Sequence, residues 1–266
     1  MNVESSMMPE DIHLWMAFPE KICDPLLLTA YRELMTAEER KRQQRFSLER
    51  HRHQFLIARA LVRTMLSRYS GVPPEQWRFS LNRYGRPEIA SPGGLAPLRF
   101  NLSHTGGIVV CAVALERDIG VDVEDAHRSR IAMELAERYF SREEARDLNA
   151  LPSSLRRDRF FEYWTLKEAY IKARGMGLSI PLERFSFHMR KGLPLRVSFD
   201  PSLHDRPDAW YFRLMQLTAR HKAAIALRQR AEEPVRLCFR EVIPLAEDHA
   251  VDIEVLHASH EIRESS

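Results

Sequence analysis

Two stretches of this chain decide its fold because they repeat each other: GVPPEQWRFS at residues 71–80 and GLSIPLERFS at residues 177–186. The likeness reaches back to Phe55 and Phe161, at a constant offset of 106 residues. A second correspondence follows downstream at an offset of 112 residues. Self-similarity at a fixed spacing indicates that one structural unit occurs twice in the chain.

Each copy predicts the same order of elements. A short helix with a hydroxyl N-cap comes first, followed by a long amphipathic helix that a glycine ends. Alternating apolar and β-branched residues then predict three strands, the first followed by a Gly-x-Pro turn. The predicted long helices are 52–69 and 158–174, and the predicted strands are 77–81, 98–103, 108–115, 185–189, 210–216 and 222–227. The fold class is therefore α+β, with two similar subdomains.

The repeat also sets the expected domain boundaries. An N-terminal α+β half covers residues 11–118, a C-terminal α+β half covers residues 119–228, and residues 229–266 form a C-terminal extension. Residues 235–243 are predicted to add one strand, and the last twenty residues are predicted to be mobile.

The composition is that of a globular protein, with 44% apolar and 29% charged residues among 266. No apolar run approaches the ~20 residues of a spanning helix, and the first residues lack the pattern of a signal peptide. Three cysteines without a CxxC pair are typical of a reducing compartment, so we expect a cytoplasmic protein. Only six of the 40 basic residues are lysines, which either genomic base composition or an affinity for phosphates would explain.

The first candidate site is the segment Gly120-Val-Asp-Val-Glu124, directly after the first copy. In a strand, residues i and i+2 face the same side, so Asp122 and Glu124 point one way and the two valines the other. Carboxylate oxygens are ligands that Mg²⁺ prefers. The alternative is an exposed edge strand with its polar face in water.

The second candidate lies in the second long helix, in the segment 160–172. Glu168 and Lys172 are four residues apart and share a face with Trp164. The alternative is a surface ion pair worth ~0.3–0.5 kcal/mol. The density of aromatic residues in this segment predicts a largely packed helix, and charges on a packed helix usually have partners or a task.

The third candidate is the segment Phe100-Asn-Leu-Ser-His-Thr-Gly-Gly107. A strand that ends in small hydroxyls, an imidazole and two glycines offers backbone amides and side-chain donors to a phosphate. The alternative is a plain hairpin turn, for which Gly-Gly is common. A hydrolase is disfavoured because neighbouring Ser103 and His104 point to opposite faces of a strand and no Gly-x-Ser-x-Gly elbow is present.

These three segments in combination resemble the signature motifs of the 4'-phosphopantetheinyl transferases of the surfactin type. The motifs are Asn101-Leu-Ser-His, Gly120-Val-Asp-Val-Glu and Trp164-Thr-Leu-Lys-Glu-Ala-Tyr-Ile-Lys172, with Tyr84-Gly-Arg-Pro upstream. Order and spacing agree, and the resemblance covers about residues 30–228. The family's fold is a pseudodimer of two similar α+β subdomains in one chain, which matches the repeat.

The resemblance also implies roles for individual residues. It places Asp122, Glu124 and Glu168 around Mg²⁺ and makes Glu168 and Lys172 the catalytic residues. It implies that coenzyme A, the co-substrate, is bound by Arg42, Arg45, Arg50, Arg86, Asn101, Ser103, His104, Asp122 and Lys172. Among these, Arg50 is the best match for a 3'-phosphate ligand, with Arg42 and Arg45 as further candidates, and Arg86 would lie at the adenine end. Arg86 stands where the family commonly has lysine.

The implied reaction transfers the 4'-phosphopantetheine group of coenzyme A to a serine of an apo acyl or peptidyl carrier protein and releases 3',5'-ADP. Glu168 would accept the serine proton, directly or through a metal-bound water. We expect a monomer with no nucleic-acid or membrane partner. Two other classes stay open: a metal-independent coenzyme A acyltransferase, and a nucleic-acid-binding module that the arginine content would suit but that the mild pI of 8.8 disfavours.

Overall fold

The structure is a computed structural model that describes residues 7–8, 11–92, 97–127, 133–229 and 235–259. The chain divides into two compact units, and both mix helices with β-sheet, so the α+β prediction is confirmed. The first unit consists of Met1–Leu81, Pro87–Glu116 and Arg236–Asp252, and the second of Asn82–Arg86, Arg117–Val235 and Ile253–Ser266.

The predicted strands of both copies are present, with ends that differ by no more than two residues, and the two long helices begin earlier than predicted. The helices are α1 (Pro25–Leu34), α2 (Ala37–Gln44), α3 (Glu49–Ser70), α4 (Met133–Tyr139), α5 (Arg142–Ala150) and α6 (Ser153–Arg174). The strands are β1 (Asp11–Ala17), β2 (Arg78–Leu81), β3 (Pro87–Ser91), β4 (Leu98–Thr105), β5 (Ile108–Leu115), β6 (Ile119–Asp125), β7 (Phe185–His188), β8 (Arg196–Phe199), β9 (Trp210–Gln216), β10 (His221–Arg228), β11 (Arg236–Ile243), β12 (Glu247–Ala250) and β13 (Glu254–Ala258). None of the described helices is both long and apolar enough to cross a membrane.

The first unit is built around a five-stranded sheet in the order β12-β11-β1-β5-β4. Strand β1 lies in its centre, antiparallel to β5 and parallel to β11. Helix α3 packs on the sheet, and its fully buried residues Ile57, Leu61 and Leu66 are part of the core of this unit. The helix ends at Gly71, whose φ of +68° is the left-handed conformation that glycine adopts without strain.

The second unit contains a four-stranded antiparallel sheet in the order β13-β9-β10-β6, with α6 packed on β6 and β10. The core between helix and sheet is aromatic, and Tyr170 lies at its centre against Phe185, Trp210 and Phe212. The aromatic density of α6 therefore reflects core packing, as the sequence indicated.

The predicted mobility of the last twenty residues is wrong for Glu247–Ala250 and Glu254–Ala258, which form β12 and β13; residues 260–266 lie outside the described part of the chain. Strand β12 pairs with β11, and β13 pairs with β9. The partly buried carboxylate of Asp248 on β12 pairs with Arg68 and Arg240. These strands are hard to recognise in the sequence because they are short and rich in charged residues, which obscures the alternation of an amphipathic strand.

In both units a cationic side chain of the long helix pairs with the glutamate of the capping box that begins the preceding short helix, α2 or α5. Arg63 Nη2 lies 2.7 Å from Glu39 Oε2 in the first unit. Lys167 Nζ lies 2.8 Å from Glu144 Oε2 in the second, where both side chains are fully buried. Lys167 also donates to the carbonyl oxygens of Leu182 and Phe185, at 2.7 and 2.6 Å. Lys167 is therefore a structural cation and has no role in the candidate site.

Candidate active site

Strand β6 and helix α6 approach each other so closely that only glycine fits between them. A Cβ atom on Gly120 would lie 2.1 Å from the carbonyl oxygen of Ala169 and 2.4 Å from the amide nitrogen of Ala173. Asp122 and Glu124 follow at intervals of two residues, so they share the face of β6 that is turned to α6. Glycine at this one position lets two carboxylates stand directly beside the helix.

Asp122 pairs with Lys172 from α6. Lys172 Nζ lies 2.6 Å from Asp122 Oδ1 and 3.2 Å from the carbonyl oxygen of Val121. Asp122 is buried, whereas about a quarter of the Lys172 side chain is exposed. This charge-assisted hydrogen bond joins the strand motif and the helix motif that the sequence singled out separately.

Glu168 lies one helical turn before Lys172 and is largely buried. Burial raises the pKa of its carboxyl to about 7, and the negative charge of Asp122 contributes in the same direction, while Lys172 opposes them. A carboxyl whose pKa is raised by burial and by a neighbouring carboxylate lies in a favourable environment for a cation. The chemistry of these oxygen donors fits Mg²⁺, although the described residues contain no group of three or more His, Cys, Asp or Glu side chains arranged to hold a metal ion.

Glu124 is partly buried and lies directly opposite Lys222 in the register of β6 and β10. Lys222 is itself buried, and its Nζ donates to Glu162 Oε1 of α6 at 3.2 Å. A second lysine therefore pairs with a carboxylate of α6 and lies opposite Glu124 in the sheet register. The motifs gave no sign of Lys222 or Glu162, because their relation depends on the pairing of β10 with β6.

In the first unit, Asn101, Ser103 and His104 lie near the end of β4. Asn101 and Ser103 are buried on one face, and the exposed His104 is on the other, as strand alternation predicts. The two glycines that follow form the turn between β4 and β5, so the hairpin interpretation describes the backbone correctly. Gln54 of α3 donates to the carbonyl oxygen of Thr105 at 2.5 Å and thereby fixes this turn, a contact that no local motif reveals.

The arginines predicted for the 3'-phosphate lie around the end of α2 and the start of α3. Arg42 and Arg45 line a surface hollow of about 650 Å³ together with Glu38, Lys41 and Phe46. Arg50 is exposed at the start of α3 and is not part of that lining; its Nε lies 3.5 Å from Nε2 of His51. The structure therefore brings two of the three predicted arginines together.

Comparison with known proteins gives these sites their context. Residues 118–227 match the model of the 4'-phosphopantetheinyl transferase superfamily, and residues 25–116 match the model of a 4'-phosphopantetheinyl transferase N-terminal region. The two matches together account for most of the chain and follow each other almost without a gap.

The chain belongs to the 4'-phosphopantetheinyl transferase superfamily.

Individual relatives agree with this assignment. The transferase is 32% identical to the 4'-phosphopantetheinyl transferase HetI of a Nostoc strain over 74% of its own length and 82% of that protein. It is 31% identical to the 4'-phosphopantetheinyl transferase Sfp of Bacillus subtilis over 73% of its own length and 83% of that protein. A third relative, the 4'-phosphopantetheinyl transferase ffp of Bacillus subtilis, is 35% identical over 65% of the chain and 74% of that protein. The surfactin-type resemblance is confirmed.

The family fixes the activity of the transferase in outline: it transfers phosphopantetheine from coenzyme A to a carrier protein. The candidate residues are distributed over both units. Asp122, Glu124, Glu168 and Lys172 belong to the second unit, whereas Ser103 and its neighbours and the arginines of α2 and α3 belong to the first. Arg86, predicted for the adenine end, belongs to the second unit.

Proposed function

We propose that this transferase moves the 4'-phosphopantetheine group of coenzyme A onto a serine hydroxyl of an apo acyl or peptidyl carrier protein and releases 3',5'-ADP. The observation that carries the proposal is the contact of Asp122 with Lys172 beside Glu168. It combines a permanent positive charge, a buried carboxylate and a carboxyl group whose pKa is near neutrality.

Glu168 is the proposed general base. In the reaction, the serine oxygen forms a bond to the phosphorus that carries pantetheine, and the bond from that phosphorus to the bridging oxygen breaks. The electron pair leaves with 3',5'-ADP, and the serine proton passes to Glu168, either directly or through a water. A base is most effective when its pKa lies near the working pH, and in the metal-free protein burial beside Asp122 raises the pKa of Glu168 to about 7.

Lys172 is the proposed electrostatic partner of the phosphates. Phosphoryl-type transfers depend on positioning and on neutralisation of charge more than on covalent help from the protein. The ammonium group of Lys172 is partly exposed and already held on Asp122, so its charge is oriented before substrate binds. An ammonium held in place in this way loses little further freedom when a phosphate approaches.

Asp122, Glu124 and Glu168 are the residues that we propose hold Mg²⁺. Bound there, the ion would supply positive charge to the pyrophosphate of coenzyme A and to its leaving oxygen. The crowded carboxylates of Asp122 and Glu168 support this assignment, since a cation would relieve their repulsion.

The remaining contacts to coenzyme A are assigned to residues of the first unit. We propose that Asn101, Ser103 and His104 bind nucleotide phosphates and that Arg42, Arg45 and Arg50 provide the charge for the 3'-phosphate. Arginine suits this task because its planar donors pair with two phosphate oxygens at once. With both halves in one chain, we propose a monomer that acts in the cytoplasm without nucleic-acid or membrane partners.

The proposal is tested by incubating the transferase with coenzyme A, Mg²⁺ and a panel of apo carrier proteins and measuring the intact mass of each carrier. The expected result is the addition of one phosphopantetheine group to the carrier, with release of 3',5'-ADP. This transfer should be lost in EDTA and in the variants Asp122→Asn and Glu168→Gln. Calorimetric titration of Mg²⁺ in the presence of 3',5'-ADP tests the same carboxylates without turnover. An acyltransferase would instead move the acyl group of acetyl-coenzyme A without metal, and that outcome would contradict the proposal.

A further inference from the structure

The turn between β2 and β3 is fixed by one side chain. Oδ1 of Asn82 accepts hydrogen bonds from the amides of Tyr84 and Arg86, at 2.9 and 3.0 Å. The amide of Asn82 donates to the carbonyl oxygen of Arg86 at 2.9 Å, and Gly85 takes a φ of +87° that closes the turn. These hydrogen bonds hold the backbone of residues 82–86 in one turn and so fix the direction of the Arg86 Cα–Cβ bond.

This turn is attached to the C-terminal end of α6. Nδ2 of Asn82 donates to the carbonyl oxygen of Gly175 at 2.9 Å. Nη1 of Arg86 donates to the carbonyl oxygen of Ala173 at 2.7 Å and lies 3.4 Å from that of Lys172. Its Nη2 lies 3.8 Å from Oδ1 of Asp118.

The Arg86 guanidinium stabilises the C-terminus of α6 in two ways. The last four carbonyl groups of an α-helix lack partners within the helix, and its C-terminus carries a partial negative charge. Arg86 supplies both a donor and a positive charge there, with only 12% of its side chain exposed. Gly175 makes room for it, since a Cβ atom at that residue would lie 2.9 Å from Nη1 of Arg86.

The turn of α6 that Arg86 holds is the one that carries Lys172. The backbone carbonyl of Lys172 is near Arg86, while its Nζ is on Asp122. A small rotation or fraying of this last turn would move Nζ away from the strand, because a long side chain amplifies a change at its Cα atom.

We propose that Arg86 is a positioning residue that acts through α6: it holds the last turn of the helix so that Lys172 stays on Asp122. The inference rests on the proposed function because it takes the role of Lys172 in the reaction from it, whereas the contact of Arg86 with α6 is independent of that function. It also differs from the role that the family resemblance implies, in which Arg86 lies at the adenine end.

The test separates turnover from nucleotide affinity. In Arg86→Ala we expect kcat to fall about tenfold or more, while the KM for coenzyme A and the Kd for 3',5'-ADP change by less than about threefold. Arg86→Lys retains one donor and one charge and should recover part of kcat. The matched control is Arg83→Ala: Arg83 is in the same turn but exposed, with its guanidinium over the ring of Tyr84, and its loss should leave both quantities unchanged.

Hydrogen exchange gives a readout that does not need an active enzyme. In the nucleotide-free protein, amides near the end of α6 should exchange faster in Arg86→Ala than in the parent or in Arg83→Ala. Asn82→Ala should produce the same change, and it serves as the second variant if Arg86→Ala fails to fold. Unchanged exchange at the end of α6, or a tenfold weaker affinity for 3',5'-ADP at unchanged kcat, would overturn the proposal. If the parent protein modifies no carrier, the proposed function fails, and the exchange data still decide the role of Arg86.

Discussion

At the scale of single residues, Glu168 links the site to the stability of the protein. Its pKa in the folded state is about 7, compared with an ordinary value of 4.5. Between these pH values the folded state binds a proton that the unfolded state has released, so stability falls as pH rises through that window. Ionised Glu168 therefore lowers the stability of the folded protein. Such destabilising charges are common in active sites.

Glu168→Gln should remove this cost. In metal-free buffer the variant should be more stable than the parent at pH 8 by up to about 3 kcal/mol, and the difference should shrink to near zero toward pH 4.5. Urea unfolding at several pH values measures this, and Glu143→Gln, which changes an exposed glutamate, is the control. Equal stabilities of variant and parent at pH 8 would contradict the raised pKa of Glu168. Phosphopantetheine transfer should be lost in the variant although its free energy of unfolding is higher.

A second prediction at this scale concerns the arginines near α2 that we propose bind the 3'-phosphate. Arg42→Ala should weaken the binding of coenzyme A by about 1.5–3 kcal/mol, or about 10- to 150-fold, because a charge-assisted contact to phosphate is lost. The binding of dephospho-coenzyme A, which lacks the 3'-phosphate, should change much less. Arg50→Ala is the comparison, since Arg50 does not line the hollow of Arg42 and Arg45. If calorimetry shows the selective loss in Arg50→Ala alone, the 3'-phosphate lies at the start of α3, as the sequence first indicated.

At the scale of secondary-structure elements, much was predictable because the signals are local. The Asp-x-Glu spacing on β6 and the Glu168–Lys172 spacing on α6 follow from strand and helix periodicity, and both are present in the structure. What the sequence could not supply was the contact between these elements. Lys167 belongs to the same signature segment as Glu168 and Lys172, yet its ammonium group pairs with Glu144 and donates to two backbone carbonyls. Lys222 attracted no attention until its register opposite Glu124 was known.

Gly120 tests the contact between β6 and α6 directly. Gly120→Ala places a methyl group against helix backbone that has no flexible end to yield, so we expect a loss of at least about 3 kcal/mol of stability and of transfer activity. The matched control is Gly106→Ala, where an added Cβ atom would have nothing within 4 Å. Thermal unfolding of both variants measures the difference. A Gly120→Ala protein as stable as the Gly106→Ala protein would show that the helix does not rest on the strand at this point.

At the scale of the whole molecule, the internal repeat predicted the class of fold and most of its elements, because a duplicated unit shows its pattern twice. Outside the repeat, β11 agrees with the strand predicted at residues 235–243, whereas β12 and β13 were not predicted. Strands β11, β12 and β13 lie beyond the residues that match the family models, and they complete a sheet in each unit. Their partners, β1 and β9, are remote in the chain, and pairing of this kind leaves no local signal.

The C-terminal strands should therefore be indispensable, and two truncations separate their contributions. A chain that ends at residue 252 keeps β11 and β12 and should retain the fold of the first unit, with damage confined to the sheet that loses β13. A chain that ends at residue 229 also loses β11, which leaves β1 as an unprotected edge, and it loses the hydrogen bond from the buried Tyr31 hydroxyl to the carbonyl oxygen of Pro244. We expect the longer chain to stay soluble with weakened cooperativity and the shorter chain to aggregate. Size-exclusion chromatography with light scattering and thermal unfolding measure both, and a soluble, cooperatively folded chain of 229 residues would show that the repeat folds without its extension.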